Sequence, residues 1–415
     1  MIVGIVRNYF DYNATTPVHP EVVEAVARAL ADTFGNASSV HGFGQQAKAA
    51  LDEARASVAD LIGADVAEVV FTAGGTESDN FALRGAAEAQ EARNRRRIVT
   101  TAIEHEAVLN TCRHLGRRGY TCTILPVTTD GVVTPAALSE AMGDDVAVVS
   151  VMHANNEIGT VQPIEELATI AHAQGALFHT DAVQTAGKVP VNVRALGIDL
   201  LSLSGHKFYG PKGSGALWIR RGVRLAPILT GGRHERNRRA GTENVPGLVG
   251  LGVAARLAKA SLVGEGIRLA AMRDRLERTV LERIPKTTVN GVRALRVPNT
   301  TNISFEGVEA ESLLIALDLE GIAVSTGSAC SSGTLEPSHV LKAMNLPTGR
   351  AQNAIRFSLG RGTTDEEIDR LLDLLPPIVE KLRSLVRMPK TSSLVGAHGP
   401  LTTLTVSSPG SSHSR

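Results

Sequence analysis

The chain has 415 residues, 43% hydrophobic and 20% charged, the balance of a folded protein with a sizeable core rather than of a disordered one. Its 43 Lys and Arg stand against 42 Asp and Glu, so the net charge of +1 gives no general attraction to nucleic acid or to an anionic membrane. Three cysteines without paired spacing, Cys112, Cys122 and Cys330, argue against a disulfide framework and for a reducing compartment.

Residues 1–10 carry a short apolar stretch with no cleavable signal behind it, and no run reaches the roughly 18 apolar residues of a membrane span. The expectation is a cytoplasmic protein. The length exceeds one ordinary domain, which predicts a large and a small one.

In chain order, residues 17–31 and 44–62 place apolar side chains at helical spacing. From 66 to 220, short β-branched runs at 68–72, 97–101, 121–126, 146–152, 176–180, 200–204 and 215–219 alternate with helical stretches. Several are apolar throughout, as strands covered on both faces must be. The alternation predicts an α/β domain built on a mainly parallel sheet. A long helical segment at 247–284 then leads to a strand at 300–305, a helix at 309–320, a strand at 322–325, a helix at 336–345, a strand at 354–358 and a last helix at 364–386. This second pattern predicts a smaller α+β domain, with the first dozen residues packing on it. Residues 389–415 are rich in Ser, Thr, Gly and Pro and read as a disordered tail.

The residues with chemical potential stand at the ends of apolar runs. Lys207 closes Ser204-Gly205-His206-Lys207. It reads either as a lysine snorkelling from a strand end or as an amine that loses its proton in a dry pocket and forms a Schiff base. Ser204 and His206 offer donors suited to a phosphate. Gly205 and Gly210 have the spacing of a P-loop, but Pro211 stands where its lysine belongs, and that motif fails. Gly74-Gly75-Thr76 turns a strand into a helix whose free N–H groups make an anion site. Asp181 reads as a helix cap or as the partner of a protonated pyridine nitrogen. It lies 26 residues before Lys207, about one strand–helix–strand unit, so both can emerge at the sheet edge where α/β proteins bind ligands. His105 and Asn155 follow other strands to the same edge. Cys330 sits among small residues in Ser325-Thr326-Gly327-Ser328-Ala329-Cys330-Ser331-Ser332-Gly333, a composition suited to a mobile loop carrying a nucleophile. Cys112 and Cys122 read as buried small hydrophobes. No CxxC or HExxH spacing points to an intrinsic zinc site.

Ser204-Gly205-His206-Lys207 together with Thr326-Gly327-Ser328-Ala329-Cys330 resembles the cysteine desulfurases, and similar stretches run from Asp11-Tyr12-Asn13-Ala14-Thr15-Thr16-Pro17 to Ile355-Arg356-Phe357-Ser358-Leu359-Gly360. The likeness covers about residues 9–386. It implies the fold-type I architecture of enzymes dependent on pyridoxal 5'-phosphate (PLP), in a homodimer. The large domain would span 15–258 and the small one 1–14 and 259–388. Carried over position by position, Lys207 binds the cofactor, Asp181 faces its pyridine nitrogen, and His105 stacks on the ring. Asn155 and Gln184 address the phenolic oxygen. Gly75, Thr76, Ser204, Gly205 and His206 hold the phosphate, and Thr242 reaches the phosphate of the other subunit. Arg356 and Asn155 bind the substrate. Cys330 takes the sulfur of L-cysteine as a persulfide, leaving L-alanine, and passes it to an iron–sulfur scaffold protein, where it transiently shares a cluster.

Arg239-Ala240-Gly241-Thr242-Glu243-Asn244 and Leu335-Glu336-Pro337-Ser338-His339-Val340 look most like the nitrogen-fixation (NifS-like) branch, with the housekeeping iron–sulfur branch as the alternative. One departure is Ala37 in Asn36-Ala37-Ser38-Ser39, where the family usually has proline. The rivals to desulfuration are another PLP reaction on the same fold, transamination or selenocysteine lysis, and a sulfur carrier without catalysis.

Overall fold

The computed structural model describes residues 7–326 and 337–387. Its elements in chain order are β1 (Asn8–Tyr9), α1 (Pro20–Asp32), α2 (Gly42–Ile62), β2 (Val69–Thr72), α3 (Gly75–Gln90), β3 (Arg97–Thr101), α4 (Glu106–Gly116), β4 (Thr121–Leu125), α5 (Pro135–Ala141), β5 (Val146–Ser150), α6 (Ile164–Ala173), β6 (Leu177–Asp181), β7 (Leu200–Ser204) and β8 (Gly215–Ile219). They continue as α7 (Val245–Arg283), β9 (Thr287–Val289), β10 (Thr300–Phe305), α8 (Ala310–Leu319), β11 (Ile322–Ala323), α9 (His339–Ala343), α10 (Thr348–Gln352), β12 (Ala354–Ser358) and α11 (Asp365–Arg387).

The seven runs expected between 66 and 220 become one sheet, ordered β2-β8-β7-β6-β5-β3-β4. β8 runs antiparallel to both its neighbours, and every other pairing is parallel. The C-terminal ends of six strands therefore lie along one edge. β5, β7 and β8 are buried at every position, because helices cover both faces. Neighbouring residues on a strand serve opposite faces. Val149, Leu201 and Trp218 pack with Leu51 and Val58 of α2, while Val148, Leu200 and Leu217 pack with Phe81 of α3 and Val108 of α4. Each such fully buried side chain contributes about 1.5–3 kcal/mol.

A separate core lies on the three-stranded sheet β12-β10-β9. There Ile303, Phe305, Ile355 and Phe357 pack with Leu313 and Leu317 of α8 and with Leu371 and Leu375 of α11. Phe10 joins this core, and β1 pairs with β11, so the N-terminal segment lies on the smaller sheet. Helix α7 serves both cores, with Leu248, Leu251 and Ala255 in the first and Leu269, Met272, Leu276 and Val280 in the second. By length and hydropathy α7 is apolar enough to cross a membrane. Fewer than half of the residues in its most apolar stretch are buried inside the protein, where they serve the two cores.

The strand expected at 322–325 is only two residues long, and the helix expected at 336–345 forms over His339–Ala343, with Ser338 accepting the N–H of Val340 as its cap. β9 and α10 were not anticipated. Each is short and held by pairing with β10 or contact with it rather than by local propensity. The 389–415 tail lies outside the described residues.

Candidate active site

β7 ends on buried Ser204, and a single 3₁₀ turn over Gly205–Lys207 swings Lys207 back over the sheet edge. Its Nζ donates to the carbonyls of Asn13 at 2.6 Å and Ala14 at 2.9 Å. Burial brings this amine from the ordinary lysine value of 10.5 down to about 8, and the charge of Arg356 pushes the same way against Asp181 and Asp11. One strand over, Asp181 is buried and its Oδ1 accepts the N–H of Val183 at 2.8 Å. Burial raises its pKa, while that N–H, His105 and Lys207 favour its charge. Behind it, His179 bridges Ser150 at 2.8 Å and Ser202 at 2.9 Å, and burial depresses it to about 3, which keeps the ring neutral.

His105 follows β3 and caps α4, its Nδ1 accepting the N–H of Ala107 at 3.1 Å. That bond leaves the proton on Nε2, on a ring exposed to solvent. Asn155 is fully buried, with Oδ1 accepting the N–H groups of Glu157 and Ile158 and Nδ2 donating to Ile103 O at 2.9 Å. Gln184 donates from Nε2 to Asn13 O at 3.1 Å.

At the end of β2 the backbone passes through Gly74 at φ 148°, a conformation that side chains disfavour, and a Cβ placed there would meet Ser204 Oγ at 3.5 Å. Gly74 gives α3 no side-chain cap, so nothing of its own covers the N–H groups of the first turn formed by Gly75 and Thr76. His206 makes a 3.1 Å bond to Thr15 Oγ1, and burial with the nearby charges of Lys207, Lys212 and Lys188 lowers it to about 4. A neutral imidazole, a serine hydroxyl and a bare helix N-terminus form a donor set for a phosphate.

The facing wall comes from the smaller sheet. Arg356, 4% exposed, donates to Asp11 Oδ1 at 2.6 Å and to Asn156 O at 3.0 Å, and its buried Nε has no partner. The backbone of Ser325 pairs with that of Arg356, so the chain runs up to residue 326 alongside β12. It returns at Ser338, whose Oγ donates to Glu157 Oε2 at 2.5 Å, and at His339, whose Nε2 bonds Glu104 O at 3.0 Å. Ser325, Ser338 and His339, which flank 327–336, thus lie beside Arg356, Glu157 and Glu104. Cys330 itself lies outside the described residues. Thr242 is exposed, three residues beyond Arg239, whose guanidinium clasps Glu77 of α3 at 2.8 Å. Among the described residues no hydrogen bond or ion pair ties Thr242 to the residues around Lys207.

Three participants escaped the sequence reading. Asn13 links the two sheets: its amide meets Asn156 O, Thr300 and Asn299, and its carbonyl holds Lys207 and Gln184. Buried Glu104 accepts from Thr101 and from the N–H of Met152, and burial raises it to about 8. Lys188 stands beside Gln184. Only Glu104 carried a signal, its place after an apolar run.

Comparison with known proteins agrees with this arrangement. The aminotransferase class-V family model matches residues 8–371. The chain is 51% identical over 377 residues to the cysteine desulfurase IscS of Dictyoglomus turgidum, covering 91% of this chain and 95% of that one. The chain belongs to the cysteine desulfurases of the class-V aminotransferase family. To a cysteine desulfurase of a Nostoc species the identity is 52%, over 91% and 94% of the two chains. A solved NifS-like protein superposes with a TM-score of 0.85 at 37% identity, covering 91% of this chain and 100% of that one. Desulfurases of this family depend on pyridoxal phosphate. A lysine with a lowered pKa, a buried carboxylate one strand away and the open cradle at Gly74 fit that group.

Proposed function

We propose that the chain frees the sulfur of L-cysteine, releases L-alanine, and carries the sulfur as a persulfide on Cys330. The observation that carries this reading is the half-buried amine of Lys207, held by two carbonyls between the Asp181 carboxylate and the Arg356 guanidinium. Bound here, the cofactor supplies an electron sink for the substrate's Cα. At pH 7 an amine of pKa about 8 is about one-tenth free base, against well under a thousandth for an ordinary lysine, so Lys207 is fit to take and return the Cα proton. His105, with Nε2–H outward, covers the ring and helps move protons. Asp181 keeps the pyridine nitrogen protonated, and Asn155 and Gln184 face the phenolic oxygen. Gly75, Thr76, Ser204, Gly205 and His206 take the phosphate. Arg356 takes the substrate carboxylate, which the orphaned Nε supports. The Cys330 thiolate then attacks the substrate's sulfur: an S–S bond forms, the C–S bond breaks, and its electron pair stays with the carbon fragment, which is protonated to alanine.

We read the chain as a large domain over 15–258 and a small one over 1–14 and 259–388: the second core is drawn entirely from the latter, while Val340, Leu341, Met344 and Ala354 pack into the first core. It works as a homodimer in which Thr242 serves the partner's phosphate. Exposed Leu30, Phe34, Val40 and Phe43, with the two rings 5.2 Å apart, supply an apolar surface for that contact. The acceptor is an iron–sulfur scaffold protein, with which Cys330 briefly shares a cluster. Among the described residues no group of three or more His, Cys, Asp or Glu could hold a metal of its own. Arg239–Asn244 and 335–340 favour the nitrogen-fixation branch, although the IscS-named relative is as similar as the other. The free thiols of Cys112 and Cys122 suit the cytoplasm.

The test is alanine and sulfide release from L-cysteine with a reductant. Wild type should give equal amounts of both, and Cys330→Ala should give neither while staying yellow. Full turnover by Cys330→Ala would make the chain an aminotransferase or lyase.

A further inference from the structure

Lys188 enters the site from a turn that the sequence pattern does not show. Its N–H donates to Thr185 O at 2.9 Å, and Gly187 before it sits at φ 77°, where a Cβ would stand 2.8 Å from that of Phe208. Glycine alone lets the chain fold back here and lay Lys188 over Gln184. The amine donates to Gln184 Oε1 at 2.6 Å and to Asn13 Oδ1 at 3.1 Å. Both partners are amide oxygens, and among the described residues no carboxylate pairs with it. Burial, with the charges of Lys207 and Arg356, holds this amine's pKa well below the ordinary lysine value, so its two amide contacts are what fix it in place.

The contacts dictate what it does. Gln184 Oε1 faces the amine, so Nε2 faces the opposite way and donates to Asn13 O, the same carbonyl that holds Lys207. A reversed amide would set its NH2 against the Lys188 amine and its oxygen against Asn13 O. Asn13 is locked in the same manner, with Oδ1 receiving Lys188 and Asn299 while Nδ2 donates to Asn156 O and Thr300 Oγ1. We propose that Lys188 is a positioning residue, which fixes the amide of Gln184 so that its remaining N–H meets the phenolic oxygen of the cofactor and lowers the basicity of the Lys207–cofactor linkage. The inference rests on the reading that Gln184 addresses that oxygen.

The experiment titrates the visible absorbance of the cofactor in the resting holoenzyme, without substrate, for wild type, Lys188→Met, Gln184→Leu and the double variant. Loss of one hydrogen bond to a charged oxygen should raise the midpoint by about one pH unit in each single variant. The double variant should move no further than either. Lys188→Arg, which keeps donors at that place, should titrate close to wild type and guards against a variant that merely loosens the fold. If Gln184→Leu shifts the midpoint and Lys188→Met does not, Lys188 is idle and the role of Gln184 stands. If neither shifts it, Gln184 does not face the oxygen, and the inference falls with that reading. Additive shifts would show Lys188 acting through its charge alone, which also overturns the inference.

Discussion

Along the seven-stranded sheet the site's side chains stand one to a strand, with Lys207 after β7, Asp181 closing β6, Asn155 after β5 and His105 after β3. On the three-stranded sheet Arg356 is aimed instead by partners far away in the chain, the carboxylate of Asp11 and the carbonyl of Asn156. The half around Lys207 is thus set by local order, where strand, turn and helix follow one another. The half around Arg356 is assembled by long-range pairing. Residues 11–16 join the halves: Asn13 N–H donates to Ser358 Oγ at 3.0 Å, and Thr16 N–H to His206 O at 2.9 Å.

If this contrast is right, damage to the first half should abolish chemistry and damage to the second should mainly weaken binding. Lys207→Ala should lower alanine formation by about 10³-fold, the scale of a lost proton-transfer group. A loss below tenfold would move the chemistry elsewhere. Leu317→Ala removes buried methyl groups from the second core alone and should cost about 2–5 kcal/mol. Trp218, the chain's one tryptophan, lies in the first core, so in denaturant the helical signal should begin to fall before its fluorescence changes. Coincident transitions would make the two cores one cooperative unit. Arg356→Gln should raise KM for cysteine about 10–100-fold with a smaller change in kcat, since a charge-assisted contact present throughout the reaction is lost. An equal fall in kcat alone would place Arg356 in the chemistry.

The smallest effect concerns pH. Without cofactor, Lys207 should become reactive to an amine reagent as pH rises through about 8, while ordinary lysines wait for about 10.5. Between these values the unfolded chain holds a proton that the folded chain has released, so Lys207's contribution to stability falls as pH drops from 10.5 to 8. A labelling midpoint near 10.5, followed by mass spectrometry of the Lys207 peptide, would show the amine to be solvated.

What could be read in advance follows the same division. The apolar runs marked the seven strands to within two residues, and their C-terminal ends carried Lys207, Asp181 and His105, because burial on both faces leaves a plain signature in composition. The reversed direction of β8 had none, since an apolar run of five residues looks alike either way. Asn13 and Lys188 were not visible either: one acts through its main-chain carbonyl as much as its side chain, and the other depends on a left-handed turn at Gly187. Asp181 caps no helix: it accepts the N–H of Val183 in a turn, and it lies near enough to Lys207 to feel its charge.

Helix α7 runs 39 residues without a break, about 58 Å at 1.5 Å per residue, and carries a buried stripe in each core with exposed Val263 and Ile267 between them. The two stripes therefore share a phase. One residue inserted between Leu262 and Gly266 would turn everything downstream by about 100°, carrying Leu269, Met272, Leu276 and Val280 off their core and Arg268 away from the carbonyls of Gly360 and Thr363. Four inserted residues would nearly restore the angle and instead displace the smaller sheet by about 6 Å along the axis. The spacing between Lys207 and Arg356 is in this sense a count of helical turns.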